Sequence, residues 1–508
     1  EDLLGREAAS LRERFVAFMA ALWESGRYRH PVLLFSFFAR NGRTELALHV
    51  LPEIIRRKLD ECDPAGAAAF CDLKSFELAV APSAEQAREL AAVTVLGRLR
   101  AALLERNAEA AESAQADARK LSGLELPGSL RGEILIERGK YFLSLGNALA
   151  ALDEMKKALL LYQESPGPAA GEPPAPAAQR GERACYLWLG AAMLAEGRVG
   201  EAVEYLSLSQ RLCHEAHDPT GMLWTLVYLA DSLFVAGRFT QCRSVIEEGL
   251  AAARRLFRRE VELYLLFLRA RTGFQVGGYD DCSRDLQAGL CLAALYSMDD
   301  AKPVLRAWLG RTLLHGDSIV AGTRLLESLA TQTRESLLFL AEGCLFSGGL
   351  ENASLYIERG LALPAETRFA APEGITWQDG FTPVEGRCFR LSRGGTLLHR
   401  SLLGMRAYLL GIRGFRDDAI RELHQLTRGQ KAVEEDPRSA WFNYLYSQVL
   451  PETGSDEVDD KVTVLSKSLK TLQERASRID GPADRSSFLW RNRWNRKIME
   501  EARERKLV

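Results

Sequence analysis

The chain has 508 residues, with 66 basic and 68 acidic side chains interspersed along it and a formal net charge of −2, which excludes a global field drawing the whole molecule onto nucleic acid or an anionic bilayer. Apolar residues at 47% and charged residues at 26% are ordinary for a globular chain and exclude disorder over most of its length. The longest nearly apolar run, PVLLFSFFA from Pro31 to Ala39, is far short of the roughly 18 residues a membrane span needs, so a soluble protein is expected.

Nine cysteines, an odd number without paired spacing, predict a reducing compartment and hence the cytoplasm. The chain opens on Glu1 without a signal-peptide pattern and reads as a piece of a longer protein.

From the start, the elements read as helical pairs. Asn41-Gly42-Arg43 opens a helix, TELALHVLPEIIRRKLD, and Arg106-Asn107 separates two Ala/Leu-rich segments that predict a hairpin. Pro64-Ala65-Gly66 and Ala81-Pro82-Ser83 are turns. GEILIERGK, Gly132 to Lys140, fails as a phosphate loop: its glycine spacing is too long, Tyr141 replaces the Ser/Thr that would hold magnesium, and the segment reads as continuous helix. Ser165 to Ala178, SPGPAAGEPPAPAA, cannot hold a helix and is a surface loop.

A period then emerges. Gly197, Gly237 and Gly277 are spaced by 40 and 40 residues, and Gly316 follows at 39. Five residues after these glycines, and after Gly348 and Gly414 further on, stand small side chains, Ala202, Cys242, Cys282, Ala321, Ala353 and Ala419. Seven before them stand Gly190, Ala230, Ala270, Ala341 and Ala407. Small residues on both sides of a tight turn let two helices approach closely, and Trp188-Leu189-Gly190, echoed at Trp308-Leu309-Gly310, is a packing device.

Leu189-Gly190, the turn at Gly197, Ala202 and Leu206 resemble the tetratricopeptide repeat. The 40-residue period exceeds the usual 34 and is similar to the long-repeat arrays of bacterial STAND-type regulators and cyclase-linked sensors. The resemblance implies an all-α fold, an α-α superhelix of roughly nine to eleven helical hairpins, with one Pro-rich loop and one irregular insert. Its divisions are 1–130, degenerate hairpins; 131–363, the array with loop 165–178; 364–396, the insert; 397–450, a further repeat; and 451–508, C-terminal capping helices.

The resemblance also implies that the first helix of each pair lines a concave surface, which selects Trp224, Asp231, Phe234, Tyr264, Phe267, Arg271, Phe274, Gln275 and Glu342 as a partner-binding set. The insert contains PEGITWQDGFTPVEGRCFRLSRGG, with a short hairpin. It is either a loop packed on its neighbours or a partner or ligand contact through Trp377, Asp379 and Arg387.

Other constellations carry no chemistry. Cys213-His214-Glu215-Ala216-His217 is one residue short of the zinc-protease spacing and reads as a helix C-terminus before Asp218-Pro219. Cys242 and Cys282 fill the slot of small core residues. The tail, with Phe488, Trp490 and Trp494 among Arg491, Arg493, Arg496 and Lys497, reads as a capping helix rather than a nucleic-acid surface.

No cofactor, metal or membrane is expected, and no catalysis. The expected partner is a protein or peptide, an output domain on the same chain, or a small ligand. The function is that of an interaction or sensing module, the regulatory region of a larger bacterial signalling protein. A free-standing scaffold, a small-ligand sensor and an enzyme with its site in 372–395 stand as alternatives.

Overall fold

The computed structural model describes all residues except 1–12, 23–29, 42, 44–45, 48–49, 52, 56–57, 59–83, 106–107, 122–125, 146, 165–175, 317, 330–333, 364–379, 383–389, 393–394, 429–438, 453–459 and 480. Its helices include α1 Pro31–Arg40, α2 Ala84–Glu105, α3 Ala108–Leu121, α4 Gly128–Ser144, α5 Ala148–Gln163, α6 Pro176–Ala195, α7 Val199–Glu215, α8 Pro219–Val235, α9 Phe239–Arg255, α10 Arg259–Gln275 and α11 Tyr279–Leu295. They continue as α12 Lys302–His315, α13 Ile319–Glu327, α14 Arg334–Ser347, α15 Leu350–Ala362, α16 Gly395–Ile412, α17 Arg416–Arg428, α18 Ser439–Val449, α19 Lys461–Ser477, α20 Pro482–Trp490 and α21 Arg493–Glu504. Among the described residues the one β pairing is a hairpin in the insert, β1 Gly380–Thr382 against β2 Arg390–Ser392, antiparallel with Phe381 opposite Leu391. None of the described helices is long and apolar enough to cross a membrane.

The chain divides into two units. One comprises residues 1–141, 153–182 and 384–387. Within it α2 packs on α3, and the Tyr162 ring lies against Gly132 and Gly181, where an added Cβ would stand 2.4 and 2.2 Å from it. The Tyr162 hydroxyl donates to the Ser129 carbonyl at 3.0 Å. Gly132 is therefore a seat for an aromatic ring inside the continuous helix α4.

The other unit holds the hairpins from α7 onward, and its chemistry is periodic. Gly197, Gly237, Gly277, Gly348 and Gly414 have φ between +75° and +96°. At each of the first three, the next N–H bonds back five residues, as Arg198 does to the Met193 carbonyl at 2.9 Å, closing a Schellman cap. The turns between hairpins use the same geometry without glycine: His217, Phe257 and Ser297, 40 residues apart, have φ near +50°.

First and second helices differ in what they bury. Every residue from Leu223 to Phe234 of α8 is buried, because this helix is enclosed by its neighbours. In α9 burial is confined largely to Phe239, Cys242, Ile246, Gly249, Leu250 and Ala253, a single stripe. The small residues sit where the sequence requires them: a Cβ on Gly190 would stand 2.5 Å from Leu206 and 3.3 Å from the Ala202 carbonyl.

One repeat departs from the pattern. Gly316 is extended, with φ −83° and ψ −156°, and α13 begins three residues after it instead of two. This one-residue shift exposes Ala321 and puts Gly322 in the small slot, where a Cβ would stand 2.7 Å from the Gly310 carbonyl.

The turn glycines separate backbone strain from contact. Gly348 and Gly277 have similar φ, but a Cβ on Gly348 meets nothing within 4 Å whereas one on Gly277 meets Arg491 Cβ at 2.5 Å. Gly348→Ala is expected to cost about 1 kcal/mol. Gly277→Ala is expected to cost about 1–3 kcal/mol more through overpacking, measured by denaturant unfolding. Equal losses would show that Arg491 yields freely.

Candidate functional site

The expected binding set lies on successive first helices, and one slot organises it. Asp231, Arg271 and Glu342 each stand six residues before the turn glycine of α8, α10 and α14, and Arg311 stands five before Gly316 in α12. The four form a column of charge, negative, positive, positive, negative; Asp231, Arg271 and Glu342 are each at most 8% exposed, and Arg311 is half-buried.

Aromatic rings from the same helices flank the cations. The Arg271 guanidinium lies 4.8 Å from the Phe234 ring centre and 5.4 Å from Trp308. Arg311 lies 4.8 Å from Phe274, 5.2 Å from Trp308 and 4.6 Å from Phe339.

Each carboxylate of the column is held. Arg311 donates through Nε to Glu342 Oε2 at 3.0 Å and through its terminal nitrogen to Oε1 at 3.2 Å. Burial pushes the Glu342 carboxyl up, but the Arg311 charge and hydrogen bond together with the neighbouring His315 outweigh it and hold the group well below the usual carboxylate range. Tyr264 donates its hydroxyl to Asp231. Burial raises Asp231 to about 7 against the pull of this hydrogen bond and of Arg271. His315, with Nε2 3.6 Å from Glu342 Oε1, is pushed down by burial and so stays neutral.

The C-terminal segment covers this face. It is two helices, α20 and α21, broken at Asn492, whose side chain accepts from the Trp494 and Asn495 N–H groups at 3.1 and 3.4 Å. Trp494 Nε1 donates to Glu342 Oε1 at 2.7 Å, and its ring packs 4.9 Å from Phe346 and 5.6 Å from Trp441. Phe488 packs 6.3 Å from Phe239, Tyr279 donates to the Arg491 carbonyl at 3.1 Å, and Asp484 pairs with Arg243. The basic tail residues follow suit: Arg493 and Lys497 lie over the Phe346 ring.

Between the column and these helices remains a cavity of about 110 Å³. Phe234, Arg271, Phe274, Gln275 and Glu342 of the expected set line it. Trp224, Asp231, Tyr264 and Phe267 are buried without lining it. The sequence reading missed Arg311, His315, Trp308 and Trp441. Arg311 and His315 stand 40 residues after Arg271 and Gln275, so extending the period would have found them. Trp377, Asp379 and Arg387 lie outside the described residues.

The cysteines lie in the core. Cys242 donates to the Ala230 carbonyl at 3.3 Å, and burial pushes its thiol up to about 12. Cys282 donates likewise to Ala270 at 3.0 Å. Cys213 is buried beneath the end of α7, and no group of three or more His, Cys, Asp and Glu that could hold a metal occurs among the described residues.

Residues 398–506 match the family model TP_0123_C, described as a C-terminal domain; this stretch includes α18 to α21. No curated protein sequence matches the chain significantly. Among solved structures, the apo form of the quorum sensor NprR from B. thuringiensis is similar, with 12% identity and a TM-score of 0.50 over 74% of this chain and 96% of that one. A Rap protein complexed with competence and sporulation factor has 11% identity and a TM-score of 0.47, covering 79% and 97%. A signal transduction ATPase with a tetratricopeptide repeat sensor from Pyrococcus horikoshii has 13% identity and a TM-score of 0.46, covering 69% and 51%.

Two measurements test the electrostatics. A histidine whose folded pKa is depressed stabilises above its unfolded pKa, about 6.5, and loses that contribution as pH falls. Wild-type stability is therefore expected to lose a His315 contribution between pH 6.5 and 5 that His315→Phe lacks. Asp231, raised to about 7, acts in the opposite sense, losing its contribution as pH rises towards 7. The difference between the two urea-unfolding profiles isolates His315, and superimposable profiles would refute the assignment. Separately, Glu342→Ala leaves the half-buried Arg311 without its partner and is expected to cost up to about 3 kcal/mol, the low end for a fully buried pair. Trp494→Phe, which removes one hydrogen bond to a charge, should cost about 1.5–3 kcal/mol.

Proposed function

The described repeats have the fold of a tetratricopeptide-like helical-hairpin solenoid, and from that premise we propose that this chain is a non-catalytic protein-interaction and sensing module. The observation that carries the reading is that the array already engages a helical segment. Its own α20 and α21 dock on the first helices through Glu342, Phe346, Phe239 and Tyr279, the helix-on-groove mode of peptide recognition played within one chain.

Because that face is filled, a partner meets a different surface. Phe257 is 77% and Leu295 74% exposed, with Tyr296 beside them, and the Arg259 guanidinium lies 5.5 Å from the Phe257 ring and 5.7 Å from Tyr296. Exposed aromatics around an arginine have the composition of an interface hot spot. On the wider scale we assign the chain to the regulatory part of a larger bacterial signalling protein, a step that rests on the resemblance of its long repeats to those arrays.

The test is affinity capture of the partner from source cells, then binding to purified variants. Phe257→Ser combined with Tyr296→Ser is expected to weaken binding at least about tenfold with unchanged unfolding. Full binding by the double variant would move the interface elsewhere, and catalytic turnover by the isolated chain would overturn the reading. A native mass near the 56.4 kDa of this chain would favour a free-standing adaptor over a regulatory region.

A further inference from the structure

His315, the last residue of α12, is 6% exposed, and neither of its ring nitrogens has a hydrogen-bond partner. Rings surround it, Phe274 at 4.9 Å, Phe346 at 5.4 Å and Tyr279 at 5.8 Å between centres. A neutral imidazole always carries one N–H, so a donor is left unmade in this apolar cage. An unpaired imidazolium in the same place would cost far more.

The charges that face it come from three helices. Glu342 of α14 presents Oε1 at 3.6 Å from Nε2, beyond hydrogen-bond reach, and that oxygen already accepts from Trp494 Nε1 at 2.7 Å and from Arg311 at 3.2 Å. Arg311 of its own helix and Arg493 of α21 both lower its affinity for a proton. Phe274 of α10 and Gly322 of α13, which meets this helix at Leu313 and Leu314, bring no charge. Tyr279 of α11 has a hydroxyl that burial pushes up, so it too is neutral. Lys497 of α21 lies 5.7 Å from the centre of the Phe346 ring. Protonated in place, His315 is thus a third cation beside two guanidiniums, and the carboxylate next to it is already engaged.

The C-terminal segment is fastened to the same residues that enclose His315. Trp494 binds Glu342 and packs 4.9 Å from Phe346, and Tyr279 donates to the Arg491 carbonyl at 3.1 Å. Lifting α20 and α21 frees Glu342 Oε1 from its indole donor, removes the Arg493 charge and uncovers Tyr279 and Phe346 to water. Each of these changes favours the imidazolium. Terminal segments are also where local opening costs least.

We propose that His315 is an acid-sensitive latch on the C-terminal segment: on taking up a proton it releases α20 and α21 from the inner face of the array while the hairpins stay folded. The direction follows from linkage. Burial in the docked form holds the imidazole below its ordinary value, about 6.5, and in the released form that value is recovered. The released form therefore binds more protons, and its population rises as pH falls from about 6.5 towards 5, by up to about tenfold per pH unit. The latch does not rest on the interaction reading, because it belongs to the isolated chain.

The experiment follows backbone hydrogen exchange of the full chain by mass spectrometry between about pH 7 and pH 5, with the intrinsic pH dependence of exchange divided out. Peptides from α20 and α21 are expected to open about tenfold more often at the acid end, whereas those from α8 and α10 stay protected. His315→Gln cannot take up the proton and is expected to abolish the step. His315→Phe, which puts an apolar ring in the cage, is expected to do the same. If one variant fails to fold, the other decides alongside the wild-type pattern. The absence of a step in the wild type, a step of opposite sign, a step shared equally by α8 and α10, or a step retained by a folded His315 variant would each overturn the proposal.

Discussion

The inner face of the repeat array depends on a column of four charges, of which Asp231, Arg271 and Glu342 are buried and Arg311 is half-buried. Burying any one alone would cost several kcal/mol, so each is tied to a neighbouring helix: Glu342 to Arg311 across α12 and α14, and Asp231 to Tyr264 across α8 and α10. These ties join adjacent hairpins through polar contacts whose geometry is specific, where apolar packing alone would tolerate small slips. Rings stacked on Arg271 and Arg311 fill the space between them, and the cations thereby lie in an aromatic environment that strengthens their attraction for a carboxylate.

How far this was readable from the sequence depends on periodicity. Turn glycines and small residues recur because two helices can approach closely only where side chains are absent, and that constraint is local, so Gly190 and Ala202 announced the hairpins. The same period carried Asp231 and Arg271 into the expected site. The 40-residue period reaches Arg311 too, but the offset from the turn glycine does not, because Gly316 comes one residue early and the turn after it is one residue longer, which also moves the small slot from Ala321 to Gly322.

What the sequence left hidden is non-local. Trp494 meets Glu342 across 152 positions of chain, and Asp484 meets Arg243 across 241. No spacing rule encodes such pairs. The aromatic and basic residues of the tail were legible as an amphipathic surface, yet their partners were not, because a helix face with tryptophan and arginine suits a cap, a nucleic acid or a groove equally well until the opposing surface is known. The break at Asn492 was likewise concealed: an asparagine caps a helix only when the chain turns before it, and the turn here is imposed by docking.

The docked C-terminus changes the mechanics of the array. In a plain solenoid each repeat touches only its neighbours, so stability is close to a sum of nearest-neighbour terms, and local opening at one hairpin leaves distant ones unaffected. Here α20 and α21 bind Phe239 and Arg243 of one hairpin, Tyr279 of the next, and Glu342 and Phe346 two further on. Opening any of these hairpins must disturb a segment that also holds the others, which couples them beyond nearest-neighbour range. A ligand or partner that alters how firmly this segment sits therefore acts on several hairpins at once, giving a linear stack a means of transmitting a local binding event along its length.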